Sequence, residues 1–233
     1  ARTAIEHQAV DSWTQKTLDE KNPAIQVEAM LALARAAGTC PEHRNDDSPV
    51  VDAGLRDQLL TSIQSIDMSD LDEDRQLTVY RTLQIILSRM GRPADVKANK
   101  LIAWLEPRFP ADSYEVNWLL CETLAWLQSP EVAAKTMALI AKAPTQEEQM
   151  QYARSIRMLK NGWTPELREA YFEWFLKAAN YRGGASFEKF VQFIRDDAVA
   201  SLTDNERETF KDLLAKKPEQ KSVLENLGAM FEG

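Results

Sequence analysis

Two cysteines and two histidines are the whole supply of thiol and imidazole in this sequence. Cys40 and Cys121 are too few and too far apart to form a disulfide framework, and they say little about the redox compartment. A bridge between them is one alternative. The favoured one is a thiol at Cys121, which lies in a strongly apolar stretch where cysteine behaves as a small core residue. Cys40 and His43 share a polar loop, but zinc would need two further good ligands. His7 is distant in sequence and only carboxylates are near, so a plain surface loop is the simpler reading.

Long apolar runs are missing as well. No stretch of eighteen apolar residues occurs, so nothing in the sequence is expected to insert in a membrane. The net charge of −8 and pI near 5.0 leave little cationic surface for nonspecific binding to nucleic acid or anionic lipid. No segment alternates polar and apolar residues beyond a few positions, so β-strands are not expected. There is no initiator Met and no signal-like start. Ala1-Arg2 therefore suggests a piece of a larger protein or a processed product.

What the sequence does have is helical punctuation. Residues 1–21 read as the tail of one helix and a short second one, and Asn22-Pro23 opens the next. Val27, Met30, Leu31 and Ala34 share one helical face, and Gly38 closes that helix. Residues 39–53 form the one long polar loop. Further stripes follow at Leu55–Ile66, Val79–Met90, Ala98–Leu105, Val116–Leu127 and Val132–Ala143. The stretch from Thr145 to Arg195 is the densest, with ten of the nineteen aromatic residues. Thr145 with Glu148 has capping-box spacing, Asn161-Gly162 offers a stop after Lys160, and Thr164-Pro165 starts another helix. Its first stripe is Tyr152, Ile156 and Leu159, and its second is Leu167, Ala170, Tyr171, Trp174 and Ala178. Its third, after a possible Ser186 cap, is Phe187, Phe190, Val191 and Ile194. Thr203 and Glu206 repeat the box spacing, and a weaker last helix spans roughly 219–227.

Helical hairpins recurring every 30 to 45 residues point to an all-α, HEAT-like right-handed α-solenoid of antiparallel helical hairpins, with an irregular helical bundle as the alternative. Residues 1–233 then form a single α-helical repeat domain.

No catalytic, cofactor-binding or metal-binding residue set stands out. His7 beside Glu6 has no nucleophile to serve. Asp46-Asp47 and Asp70–Asp74 lack the glycine and terminal Glu of an EF-hand, and the second run suits a helix N-terminus. Arg182-Gly183-Gly184-Ala185-Ser186 lacks the lysine of a P-loop and has no preceding strand. Candidate partner-binding residues remain. Arg154, Arg157 and Lys160 recur three apart on one helical face, with Arg182 and a turn-borne Trp163 nearby. The competing reading pairs those cations with Glu166, Glu169 or Glu173.

The segments EEQMQYARSIRMLKNGWTPELREAYFEWF and YRGGASFEKFVQFIRDDAVASLTDNER resemble part of large multidomain bacterial proteins. Those proteins join a propeller- or dehydrogenase-like region, a HEAT-like helical repeat region and often a C-terminal c-type cytochrome carrying CxxCH. VNWLLCETLAWLQSPEVAAKTMALIAKAPTQEEQ and ARTAIEHQAVDSW are similar to earlier repeats of that region. The resemblance implies the helical repeat portion of a secreted, periplasmic or cell-envelope protein. The sequence holds no CxxCH, so any haem would lie outside it. The expected function is a non-catalytic, monomeric interaction or spacer module whose partners are proteins or neighbouring domains. The alternative is an enzyme domain with a carboxylate-lined groove.

Overall fold

A computed structural model describes residues 2–48 and 50–218. Those residues form thirteen α-helices and short 3₁₀ turns, with no β-strand among them. The weak helix expected over 219–227 lies outside the described residues.

Helix starts follow the side chains that the sequence places before them. Asn22, Asp52, Asp72, Thr145, Thr164 and Thr203 each accept backbone N–H groups of the helix that follows. Each such cap is worth about 1 kcal/mol. At Thr203 the box is complete, because Glu206 also accepts from the Thr203 N–H. Ser186 makes no side-chain cap, contrary to expectation.

The chain divides into two compact units, 1–123 and 124–233. The first contains α1 (Arg2–Glu6), α2 (Thr14–Asp19), α3 (Pro23–Ala37), α4 (Ala53–Gln64), α5 (Glu73–Met90), α6 (Asp95–Leu105) and most of α7 (Tyr114–Leu127). Here α3 packs on α1 and on α5, while α4 packs on α2 and on α6. Met30, Leu33, Leu59, Ile63, Leu83, Ile86, Leu101 and Leu120 are completely enclosed. Burying one such side chain contributes about 1.5–3 kcal/mol. Gln84 of α5 donates to the Leu119 carbonyl, to Glu122 and to Thr123 of α7. The polar loop is pinned at its start: Thr39 N–H donates to the Arg89 carbonyl, and the Arg44 guanidinium bonds both Thr39 and Arg89 carbonyls. The α3 and α5 ends approach so closely that a Cβ on Gly38 would lie 2.8 Å from that of Arg89. The loop itself holds a 3₁₀ turn at Pro41–His43.

The second unit contains α8 (Val132–Lys142), α9 (Gln146–Ser155), α10 (Pro165–Ala178), α11 (Phe187–Ala200), α12 (Asp204–Thr209) and α13 (Lys211–Ala215). Helix α10 packs on α8, α9, α11 and α13, and α11 also packs on α9. Two stripes differ from expectation. On α10, Tyr171, Trp174 and Ala178 are buried as expected, but Ala170 is exposed and Arg168, Phe172 and Phe175 are buried with them. On α11, Val191 and Ile194 face inward while Phe190 is 43% exposed. Tight contact on several sides of α10 draws in a wider arc of its surface than one stripe.

Candidate functional site

The aromatic stretch assembles around α10. Tyr171 stacks on Trp163 with ring centroids 5.2 Å apart, meets Phe175 edge-on at 5.1 Å, and donates its hydroxyl to the Ala153 carbonyl at 2.6 Å. Trp174 packs edge-on against Phe175 and donates from Nε1 to Gln149. Such pairs contribute about 0.5–1.5 kcal/mol beyond the area they bury.

Arg168 lies in the middle of this packing and is only 1% exposed. Its guanidinium sits 4.2 Å from the Trp163 ring centre. It donates to Glu206 Oε1 at 3.2 Å, to Ser201 Oγ at 3.3 Å and to the Leu159 carbonyl at 3.4 Å. Burial lowers the Arg168 pKa, opposed by the facing Glu206 carboxylate. Burial also works to raise the Glu206 pKa, but the Thr203 N–H, the Thr203 hydroxyl and Arg168 outweigh it and hold the carboxyl below its ordinary value. This cluster ties α10 to the α11–α12 junction and is a structural lock.

The basic residues expected to form one stripe do not share a helical face. Helix α9 stops at Ser155, so only Arg154 is helical. Arg157 and Lys160 lie in the turn that follows. The stop comes before the expected Asn161-Gly162. The connection is held by Trp163 Nε1 donating to the Leu159 carbonyl and by Lys160 N–H donating to Gln128. Gly162 has φ +75°, and a Cβ there would lie 2.0 Å from the Pro130 carbonyl oxygen.

Arg157 pairs with Asp197 of α11 at 2.8 Å, not with Glu166, Glu169 or Glu173. Lys160 is exposed. Trp163, expected at the surface, is half-buried between Tyr171 and Arg168. Arg182 is exposed, and its N–H donates to Gln146 at 3.0 Å. The five candidates therefore occupy separate surroundings: Arg157 and Trp163 are engaged in packing, Arg154 is half-buried on α9, and Lys160 and Arg182 reach solvent.

Sequence reasoning missed two features. Glu206 carries no mark of its role beyond its box spacing, which does foretell the cap. The second is a groove of about 540 Å³ between α10, α11 and the end of α13. It is lined by Phe175, Tyr181, Phe187 and Val191 together with Glu188, Arg195, Lys216 and Lys217. Its lining comes from three separate elements, so no local pattern announces it.

The remaining candidates have local explanations. Asp72 caps α5 within the Asp70–Asp74 run, Asp47 N–H closes a turn on Asn45, and Glu6 pairs with Arg35 at 3.0 Å. Cys40 and Cys121 are both thiols, and Cys121 is fully buried. Among the described residues, no group of three His, Cys, Asp or Glu is placed to hold a metal ion, and no helix is long and apolar enough to cross a membrane. Comparison with known proteins gives no match among family models, curated proteins or solved structures.

Proposed function

We propose that this chain is a non-catalytic helical repeat module of the HEAT-like solenoid kind, a scaffold that docks proteins or holds neighbouring domains apart. The observation that supports this reading most is skip-one packing. In the first unit α3 lies on α1 and α5 while α4 lies on α2 and α6; in the second, α10 lies on α8 and α11 on α9. Neighbours also pack within each unit, α2 on α3, α4 on α5 and α8 on α9, and the combination of neighbour and alternate contacts is what stacked hairpins require.

The carboxylates with displaced pKa values serve local structure. Asp67 is lowered by the Ser69 hydroxyl and N–H, and Glu166 by its own N–H and the Thr164 hydroxyl. Glu206 is lowered as well, against the pull of its burial.

On the strength of the sequence resemblance, the parent is a secreted or envelope protein, with any haem carried elsewhere in it. Two measurements test the proposal. The flanking reading frame should encode an export signal upstream and CxxCH downstream; a frame with neither removes that placement. The purified chain should bind the domain encoded beside it and turn over no ester, glycoside, amide or phosphoester substrate. Turnover abolished by replacing a single groove carboxylate would establish the enzyme reading instead.

A further inference from the structure

The groove between α10, α11 and the end of α13 combines apolar lining with a local charge opposite to that of the whole chain. The chain carries a net charge of −8, yet the charged side chains lining this groove are Arg195, Lys216 and Lys217 against the single carboxylate of Glu188. Lys216 and Lys217 are exposed, so their ammonium groups meet an arriving ligand at little desolvation cost. Arg195 is held in advance, because its guanidinium donates to the Leu214 carbonyl at 2.6 Å. Helix α11 starts at Phe187, within the lining, and its first-turn dipole adds positive potential to the groove. Phe175 and Val191 are buried in the lining, and Tyr181 and Phe187 are half-exposed there.

We infer that this groove receives an acidic segment of a partner protein, with leucine or aromatic side chains entering between Tyr181, Phe187 and Val191 and carboxylates meeting Arg195, Lys216 and Lys217. This rests on the interaction-module reading and names the partner chemistry for it. Charge complementarity decides the sign of the partner, since the cations of the groove attract carboxylates while the chain as a whole carries net negative charge. Nucleic acid fits poorly, because three cations in one pocket do not form the extended stripe that tracks a phosphate backbone.

The test is fluorescence anisotropy of the full chain with two labelled amphipathic peptides. Both carry Leu and Phe on one face; one has Glu and the other Lys on the opposite face. The Glu peptide should bind, more weakly as salt rises, and the Lys peptide should not. The double variant Lys216→Glu/Lys217→Glu, altered only at exposed positions, should weaken binding by about tenfold or more, since two attractions become repulsions. Phe187→Ser, checked for fold by circular dichroism, should weaken it as well.

Equal affinity in the charge-reversed variant, equal binding of the Lys peptide, or preferential binding of a single-stranded oligonucleotide would overturn the inference. So would displacement of the Glu peptide by a synthetic 219–233 peptide at matching concentration, which would assign the groove to this chain's own sequence. A chain that captures its neighbouring domain while ignoring the Glu peptide loses only the groove assignment. A chain that shows turnover loses the module reading itself.

Discussion

Arg168 in α10 and Glu206 in the first turn of α12, separated by thirty-eight positions in sequence, meet at 3.2 Å with Arg168 buried and Glu206 partly open to solvent. The pair is asymmetric, and the asymmetry sets which substitution does more damage. Removing Glu206 leaves a buried guanidinium without its counter-charge, and it also breaks the Thr203 box. Glu206→Ala should therefore cost about 3–5 kcal/mol. Arg168→Met fills similar space and leaves a carboxylate that still has water and the Thr203 N–H, so it should cost about 1–2 kcal/mol less than Glu206→Ala. Urea denaturation of both variants checks this ordering; a larger loss for Arg168→Met would refute it.

The same carboxylate makes stability depend on acid. Its folded pKa lies below its ordinary value, so it contributes stability that is fully present above the unfolded value of about 4.3. That contribution is lost as pH falls through the lower folded pKa. Melting temperatures measured from neutral pH down to about pH 2 should fall less steeply in Glu206→Gln than in the parent chain. Parallel acid limbs would remove Glu206 from the cause.

Two glycines should respond in opposite ways to alanine. Gly162 combines positive φ with backbone 2.0 Å from where a Cβ would sit, so Gly162→Ala forces Pro130 or the turn to move. A loss of more than about 2 kcal/mol is expected. A Cβ on Gly184 meets nothing within 4 Å, and Gly184→Ala should be neutral or stabilising by about 0.4–1 kcal/mol. Thermal melts of the two variants decide the matter.

Helix caps offer a graded comparison. Asn22→Ala, Asp72→Ala and Thr164→Ala each remove a side chain that accepts backbone N–H groups and should cost about 1 kcal/mol. Ser186→Ala removes no such bond and should change stability by less than about 0.5 kcal/mol. A Ser186 effect as large as the others, read from chemical denaturation midpoints, would contradict the cap assignment.

Phe193 is 57% exposed, while Leu83 is completely enclosed. Leu83→Ala should cost about 2–5 kcal/mol through lost transfer energy and a residual cavity. Phe193→Ser should stay within about 0.5 kcal/mol. Calorimetry on the two variants separates the outcomes.

The all-α class and most helix starts were legible in the sequence, because both depend on interactions spanning a few residues. Asn22-Pro23, Asp72 and Thr164-Pro165 start helices here because each supplies an acceptor or removes an orphan donor within one turn. The Thr203–Glu206 box formed at its expected spacing for the same reason. Tertiary structure decided what required distant parts of the chain. The connection after Ser155 is seated where Gly162 meets Pro130 and the Lys160 N–H reaches Gln128, and the Arg154, Arg157 and Lys160 spacing did not become a helical stripe. Ion-pair partners also came from afar. Arg157 turned to Asp197 of α11 and Arg168 to Glu206 of α12, because the packing of separate helices, and not closeness in sequence, brings each carboxylate to its guanidinium. Sequence thus set the elements through local hydrogen bonds and apolar periodicity. Which side chains became a lock and which came to line a groove was set by packing, which no spacing along one helix encodes.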